Sequence, residues 1–243
     1  MHRNIKLVIE YDGSLFHGWQ IQPGLRTVQD EIEKALRPIL QQKINLIGAG
    51  RTDAGVHALG QVANFETENL QDAETIRKSL NGILPDDIIV NQTEEADLNF
   101  NARYSAKSRV YKYRVYRGRT AIQRKLTWQV SYRLNLETLI QATKEIEGEH
   151  DFTSFCQAES TKESNLCRVQ RAFWQEEEAE LTFLIEADRF LHNMVRNLVG
   201  TLIEVARGYF SVSDFDRIME AKDRRKAGPT APAHGLYLME VKY

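Results

Sequence analysis

Along the first dozen residues, apolar and polar side chains alternate from Ile5 to Tyr11, the period of a half-buried strand. The period then lengthens. Val28, Ile32, Ala35, Leu36 and Ile39 recur at i, i+4, i+7, i+8 and i+11 behind Thr27 as a cap, which predicts an amphipathic helix. Pro38 has no N–H to donate and crowds the preceding turn, so it is expected to end that helix early. "INLIGAG" and "GQVANFET" read as strands, followed by a helix from about Asp72 to Leu80 and a strand at Ile88 to Gln92. The resulting order, β-α-β-β-α-β, is the ferredoxin-like pattern that many RNA-binding domains share.

The second part of the chain repeats the alternation in "RVYKYRVYR" and "TWQVSYR", then predicts a helix over Leu136 to Ile146. Strands are expected near Arg168 to Gln175 and Leu181 to Ala187, a long helix over Phe190 to Arg207, a short one from Ser213, and a closing strand in "GLYLMEVKY". The simplest architecture is α+β. Two ferredoxin-like halves with mainly antiparallel sheets lie side by side around a catalytic cleft. The expected divisions are an N-terminal domain over 1–105, a basic strand segment over 106–135 that links the halves, and a C-terminal domain over 136–243.

Composition narrows the class without choosing a chemistry. The chain has 243 residues, enough for one large domain or two small ones, and 42% hydrophobic with 27% charged residues is the balance of a soluble globular protein. No apolar run approaches the ~20 residues that span a bilayer, and the start lacks a signal-peptide core, so a cytoplasmic protein is expected. Cys156 and Cys167 form neither a CxxC nor a zinc-ligand spacing, and are expected to be reduced, semi-buried thiols.

Charge changes the picture more. The net charge is only −2, yet between Phe100 and Arg133 there are ten basic residues and no acidic one: Arg103, Lys107, Arg109, Lys112, Arg114, Arg117, Arg119, Arg124, Lys125 and Arg133. Acidic residues gather elsewhere, in "PDD" at Pro85 and "EEEAE" at Glu176. Seven aromatic side chains interleave with the basic ones, among them Tyr111, Tyr113 and Trp128. Positive charge neutralises phosphates and aromatic faces stack on unpaired bases, so RNA is the expected partner. A solvated edge strand would use a few lysines for the same purpose of staying soluble, but not ten cations without an acid. Strand alternation puts Tyr111 and Tyr113 on one face and Lys112 and Arg114 on the other.

Two further stretches carry candidate chemistry. "GAGRTDAGVHA", Gly48 to Ala58, holds Arg51, Asp53 and His57 among three glycines. Gly and Asp also build ordinary tight turns, so the motif alone leaves both readings open. In "FLHNMVRNLVGTLIEVARG" the apolar face is so wide that the helix must be largely buried, leaving a polar stripe of Asn193, Arg196, Asn197 and Gly200. An arginine there must snorkel out or meet a carboxylate, because an unpaired buried charge is costly. Either a nearby acid such as Glu204 serves, or Arg196 pairs with Asp53 and keeps that carboxylate ionised.

With these residues in place, "GRTDAGVHA" followed by "GQVANFET" resembles the catalytic segment of the tRNA pseudouridine synthase A family. The likeness extends through "YDGSLFHGWQ", "NARYSAKSRVYKYRVY", "DFTSF", "FLHNMVRNLVG" and "GLYL". It implies the pseudouridine synthase fold and an isomerase that acts at positions 38, 39 and 40 of the tRNA anticodon stem-loop, as a homodimer, with neither metal nor organic cofactor. It implies Asp53 as the catalytic aspartate and Arg196 as its paired arginine. Tyr111 would stack on the target base, Arg51 would hold the nucleotide out of its stack, and Arg103, Arg119 and Leu236 would contact the tRNA. The loop over 157–166, with Glu159 and Glu163, does not register against the family.

Pseudouridine formation breaks the N1–C1′ bond, turns the uracil and rejoins it through C5. An aspartate can attack C1′ or the ring, or remove a sugar proton, and these routes stay open. A non-catalytic RNA-binding or RNA-chaperone protein would use the basic segment equally well but has no need of Arg51, Asp53, Tyr111 and Arg196 together. A metal-dependent nuclease lacks a ligand cluster in the sequence.

Overall fold

The structure is a computed structural model that describes residues 2–157 and 164–243. Glu159 and Glu163 lie outside the described residues. Contacts divide the chain into two compact units: the residues up to Lys107 together with Tyr237–Tyr243, and Ser108–Leu236.

In the first unit, strand β1 (Arg3–Tyr11) buries Ile5, Leu7 and Ile9 completely, as its alternation requires. It runs antiparallel between β3 (His57–Thr67) and β4 (Ile88–Ala96), and the two-residue β2 (Ile47–Gly48) pairs with β3. Helix α1 (Val28–Leu40) turns Val28, Ile32 and Leu36 to the core, and α2 (Ala73–Asn81), capped by Asp72, packs on β4 through its buried Ile76 and Leu80. The order β-α-β-β-α-β is the predicted one.

Two details of α1 differ from expectation. Pro38 lies inside the helix, which continues to Leu40. In the last turn the proline costs one hydrogen bond, and burial of Leu36 and Leu40 on either side outweighs it. Thr27 takes the extended cap conformation but makes no cap hydrogen bond with its side chain. The N–H groups of Val28 and Gln29 donate instead to the carbonyls of Gly18 and Trp19, at 3.2 and 3.1 Å.

The closing strand β10 (Leu236–Lys242), grouped by its position in sequence with the second half, runs parallel to β3 with Tyr237 opposite His57. A parallel neighbour cannot be joined by a short turn, so a partner for β3 has to come from far along the chain.

The second unit opens with the basic strand β5 (Ser108–Arg117). The sheet order is β5-β9-β8-β7, all antiparallel, comprising β9 (Glu180–Ala187), β8 (Leu166–Glu177) and β7 (Gly148–Asp151), with β6 (Trp128–Val130) parallel to β5. Helices α3 (Leu136–Lys144), α4 (Met194–Ala206) and α5 (Val212–Ala221) complete it. Every residue of α4 except Arg196 is buried, as the breadth of its apolar face predicts. The helix begins at Met194 rather than Phe190 because Asn193 has φ +62, a left-handed conformation that a helix cannot pass through. Cys156 and Cys167 are buried and form no disulfide, and burial pushes the Cys167 thiol up to about 12.

Candidate active site

Asp53 sits in the loop between β2 and β3, partly exposed between a buried Thr52 and a turn at Gly55. Gly55 has φ +79, which a side chain would oppose, and Val56 N–H closes the turn on the Asp53 carbonyl at 3.2 Å. The loop is pinned from one side by the last residue of β1 and the segment 12–19. Trp19 N–H donates to the Thr52 carbonyl (3.1 Å), Gly55 N–H donates to the Phe16 carbonyl (3.2 Å), and the Tyr11 hydroxyl meets Thr52 Oγ1 at 2.7 Å. Burial raises the Tyr11 phenol although the Thr52 bond opposes the rise, so the hydroxyl stays neutral. Gly13 approaches so closely that a Cβ on it would lie 1.9 Å from the Val56 carbonyl oxygen. Since Gly18 and Trp19 also hold the start of α1, one short segment fixes both the helix entry and the aspartate loop.

The glycines of the motif divide their work. Gly48 leaves room for the Trp19 indole, and Gly50 has open space where a Cβ would be. Arg51 is exposed beside them. His57 is buried, stacks on Tyr237 at 4.7 Å, and places Nδ1 3.1 Å from Gly13 N–H and 3.0 Å from Asp12 Oδ1. When neutral it accepts from the first; when protonated it donates to the second. Its place is beneath the loop.

In the second unit, Tyr111 and Tyr113 share the buried side of β5 while Lys112 and Arg114 take the other, as alternation requires. The Tyr111 ring meets Phe190 edge-on at 4.9 Å, a partner that sequence spacing does not reveal. Tyr113 is fully buried, donates to the Pro232 carbonyl at 2.7 Å, and lies so near Gly235 that a Cβ there would sit 2.6 Å from its ring. Leu236, buried, follows directly on the tight turn Ala233–Gly235.

Arg196, in the first turn of α4, donates from Nε to the Ala231 carbonyl (2.8 Å) and from Nη1 to Asn193 Oδ1 (2.9 Å). Its charge also reaches His234, whose pKa is lowered first by burial and then by this cation, against a backbone bond to Thr127. Glu204 is not its acid, because Glu204 pairs with Arg207 at 3.2 Å one turn further on.

The linear segregation of charge is partly undone by folding. The β8–β9 hairpin that carries "EEEAE" lies against β5, so Arg114 forms a two-point pair with Glu180 (2.6 and 2.8 Å) and Arg117 meets Glu176 at 2.7 Å. Asp87 of "PDD" is likewise clasped by Arg26. Arg103 is exposed over the Tyr104 ring, and Arg119 is exposed with Arg124, Thr120 and Gln129 around a hollow of about 400 Å³. Much of the interleaved aromatic surface is packing as well, since Tyr113 meets Trp128 edge-on and Phe100 lies against Tyr243. Among the described residues no three His, Cys, Asp or Glu side chains form a group that could hold a metal ion, and no helix is long and apolar enough to cross a membrane.

An aspartate on a glycine-hinged loop, a basic strand bearing tyrosines and a buried helix bearing one arginine coincide with a family pattern that covers most of the chain. The family model described as tRNA pseudouridine synthase matches residues 7–105 and 142–243, and the chain belongs to that family of isomerases. It is 44% identical to tRNA pseudouridine synthase A of Acetivibrio thermocellus over 99% of this chain and 100% of that protein. To the protein of that name from Bacillus subtilis it is 45% identical over 98% of each chain, and to that of Geobacillus kaustophilus 44% over 100% of this chain and 95% of the other. Tyr111 and Arg119 fall between the two stretches of the family match, within the span of the full-length likenesses.

Proposed function

We propose that this chain isomerises uridine to pseudouridine at positions 38, 39 and 40 of the tRNA anticodon stem-loop, with Asp53 as the reacting carboxylate. The observation that carries the reading is the setting of Asp53: a short, partly exposed acidic side chain on a loop whose backbone is bonded on both sides of it to the segment 12–19. Arg196 is its cationic partner. Every route from uridine to pseudouridine by way of an aspartate, whether at C1′, at the ring or at a sugar proton, begins from the ionised form.

The target base must leave its stack, at a cost of a few kcal/mol. Tyr111 stacks on the extruded base, Arg51 holds the nucleotide from the exposed side of the loop, and Arg103, Arg119 and Leu236 bind neighbouring tRNA. Stacking on an aromatic ring contributes roughly 1–3 kcal/mol per base, enough to offset most of the extrusion.

Asp53→Asn is expected to lower pseudouridine formation at least about a thousandfold. Binding of unmodified tRNA should change less than about threefold. Carbodiimide-dependent primer extension over the anticodon arm reads both the activity and the positions modified. Turnover by Asp53→Asn, or modification outside the anticodon arm, would refute the assignment. The family resemblance also leads us to propose a cytoplasmic homodimer. Sedimentation at micromolar concentration should give twice the 28.0 kDa chain mass, and a species at the chain mass would remove the dimer.

A further inference from the structure

Arg196 is the one residue of α4 that is not buried, and it is held from two directions. Residues 196 and 231 exchange a pair of bonds: Ala231 N–H donates to the Arg196 carbonyl (3.1 Å), and Arg196 Nε donates back to the Ala231 carbonyl (2.8 Å). The segment carrying Ala231 is itself fastened to α4. Gly200 lets Pro229 come so close that a Cβ would sit 1.7 Å from its carbonyl oxygen, and Gly228 N–H donates to Thr201 Oγ1 at 3.0 Å. Arg224 donates at once to the Gly228 carbonyl (2.9 Å), Thr230 Oγ1 (3.0 Å) and Asn197 Oδ1 (3.0 Å), tying segment and helix together. The Ala231 carbonyl is therefore a fixed point.

The other direction is Asn193. Its left-handed backbone, φ +62, makes no cap bond with the side chain, so the amide is turned away from the helix N–H groups. The oxygen accepts from Arg196 Nη1 at 2.9 Å while the nitrogen donates to Gln157 Oε1 at 2.7 Å, which sets the orientation of the amide. Asn is among the few non-glycine residues that occupy this conformation at low cost. One residue thus both starts the helix and aims the guanidinium. Bonds at Nε and at one Nη fix the plane of the group.

We propose that Asn193 is a positioning residue for Arg196, holding its guanidinium in the plane that catalysis uses, with the Ala231 carbonyl as the second support. The assignment rests on the reading of Arg196 as the partner of the reacting carboxylate.

Asn193→Gly keeps the left-handed backbone and removes the amide, and Asn193→Asp keeps an acceptor oxygen. With unmodified tRNA as substrate, Asn193→Gly is expected to lower kcat at least tenfold, with KM within twofold and the thermal midpoint unchanged. Asn193→Asp should restore kcat to within threefold of wild type. Adding Asn193→Gly to Arg196→Ala should cost nothing further, because the group being aimed is gone. A wild-type kcat in Asn193→Gly beside an inactive Arg196→Ala overturns the positioning role alone. An Arg196→Ala variant with wild-type turnover overturns the underlying reading of the site. Equal losses in the Gly and Asp variants would show that the acceptor oxygen is not what matters, and would also overturn the proposal. Should Asn193→Gly not fold, the exposed Gln157→Ala supplies the test: kcat should fall about threefold as the amide loses its orientation, and an unchanged kcat overturns it.

Discussion

Asp53 and Arg196 are both placed by a neighbouring segment, but the neighbour acts on different parts of each residue. Around Asp53 the neighbouring segment grips backbone and the flanking Thr52, through Trp19 N–H, the Phe16 carbonyl and the Tyr11 hydroxyl. Around Arg196 a backbone bond from Ala231 N–H is joined by two tethers that end on the guanidinium itself, at the Ala231 carbonyl and Asn193. The difference follows from side-chain length. An aspartate has two rotatable bonds, so a fixed backbone leaves its carboxylate few positions. An arginine carries roughly 2 kcal/mol of rotamer entropy, and a fixed backbone alone leaves its charged end free to wander.

The most severe break in this comparison is Gly13→Ala. A methyl group 1.9 Å from the Val56 carbonyl oxygen cannot be accommodated without moving the aspartate loop, so unfolding free energy should fall by roughly 3 kcal/mol or more. Urea denaturation reads the loss. Gly50→Ala, inside the motif but facing open space, is its control and should stay within about 0.5 kcal/mol. If the two variants were equally stable, the segment 12–19 would not be the scaffold of the loop. On the arginine side, Arg224→Gln removes charged donors from three oxygens and should cost about 2 kcal/mol in the same measurement. Activity should fall further than stability predicts, because the Ala231 carbonyl loosens.

The smallest effect concerns Asp12. Burial alone would raise its carboxyl, but hydrogen bonding from Ser14, whose N–H lies 2.9 Å from Oδ1, and the charge of His57 hold it below its ordinary 3.8. A depressed folded pKa stabilises the native state fully above the unfolded value, and that contribution disappears as pH falls through the folded one. Acid unfolding of wild type should therefore steepen below pH 3.8, and Asp12→Asn should flatten that arm by giving up at neutral pH the same small contribution that wild type loses only in acid. An acid arm identical in the variant would show that the His57 and Ser14 contacts bear no weight.

Much of the fold was legible because its elements carry strong periods: β1, α1, β5 and the all-round burial of α4 follow directly from the spacing of apolar residues. β7 was missed, since "GEHD" has no apolar alternation and is a strand only because β8 offers it a partner. The charge map misled for a related reason. Ten cations in a row along the chain say nothing of the hairpin folded against them, and Arg114 with Glu180 are neighbours only in space. Of the candidate site, residue types were legible and supports were not. Asp53, Arg51 and Arg196 stand out by their company, whereas Ala231 contributes a carbonyl oxygen that every residue possesses. The one available signal for the other support was the pair of glycines in "DGSLFHG", which the structure uses for close approach at Gly13 and for a positive φ at Gly18.

The pairing of Tyr237 with His57 has a consequence for the order in which the molecule can be made. The second unit is a continuous piece of chain, while the first is interrupted by it and takes in the strand that follows. On a ribosome, then, the interior unit has its whole sequence available while the outer one still lacks the strand beside β3. Until Tyr237 and Leu238 emerge, the edge of β3 next to His57 is an open template for other strands. A nascent chain arrested at Leu236 should protect the interior unit from protease and leave the edge of β3 at His57 and Ala58, made long before its partner, still unsecured.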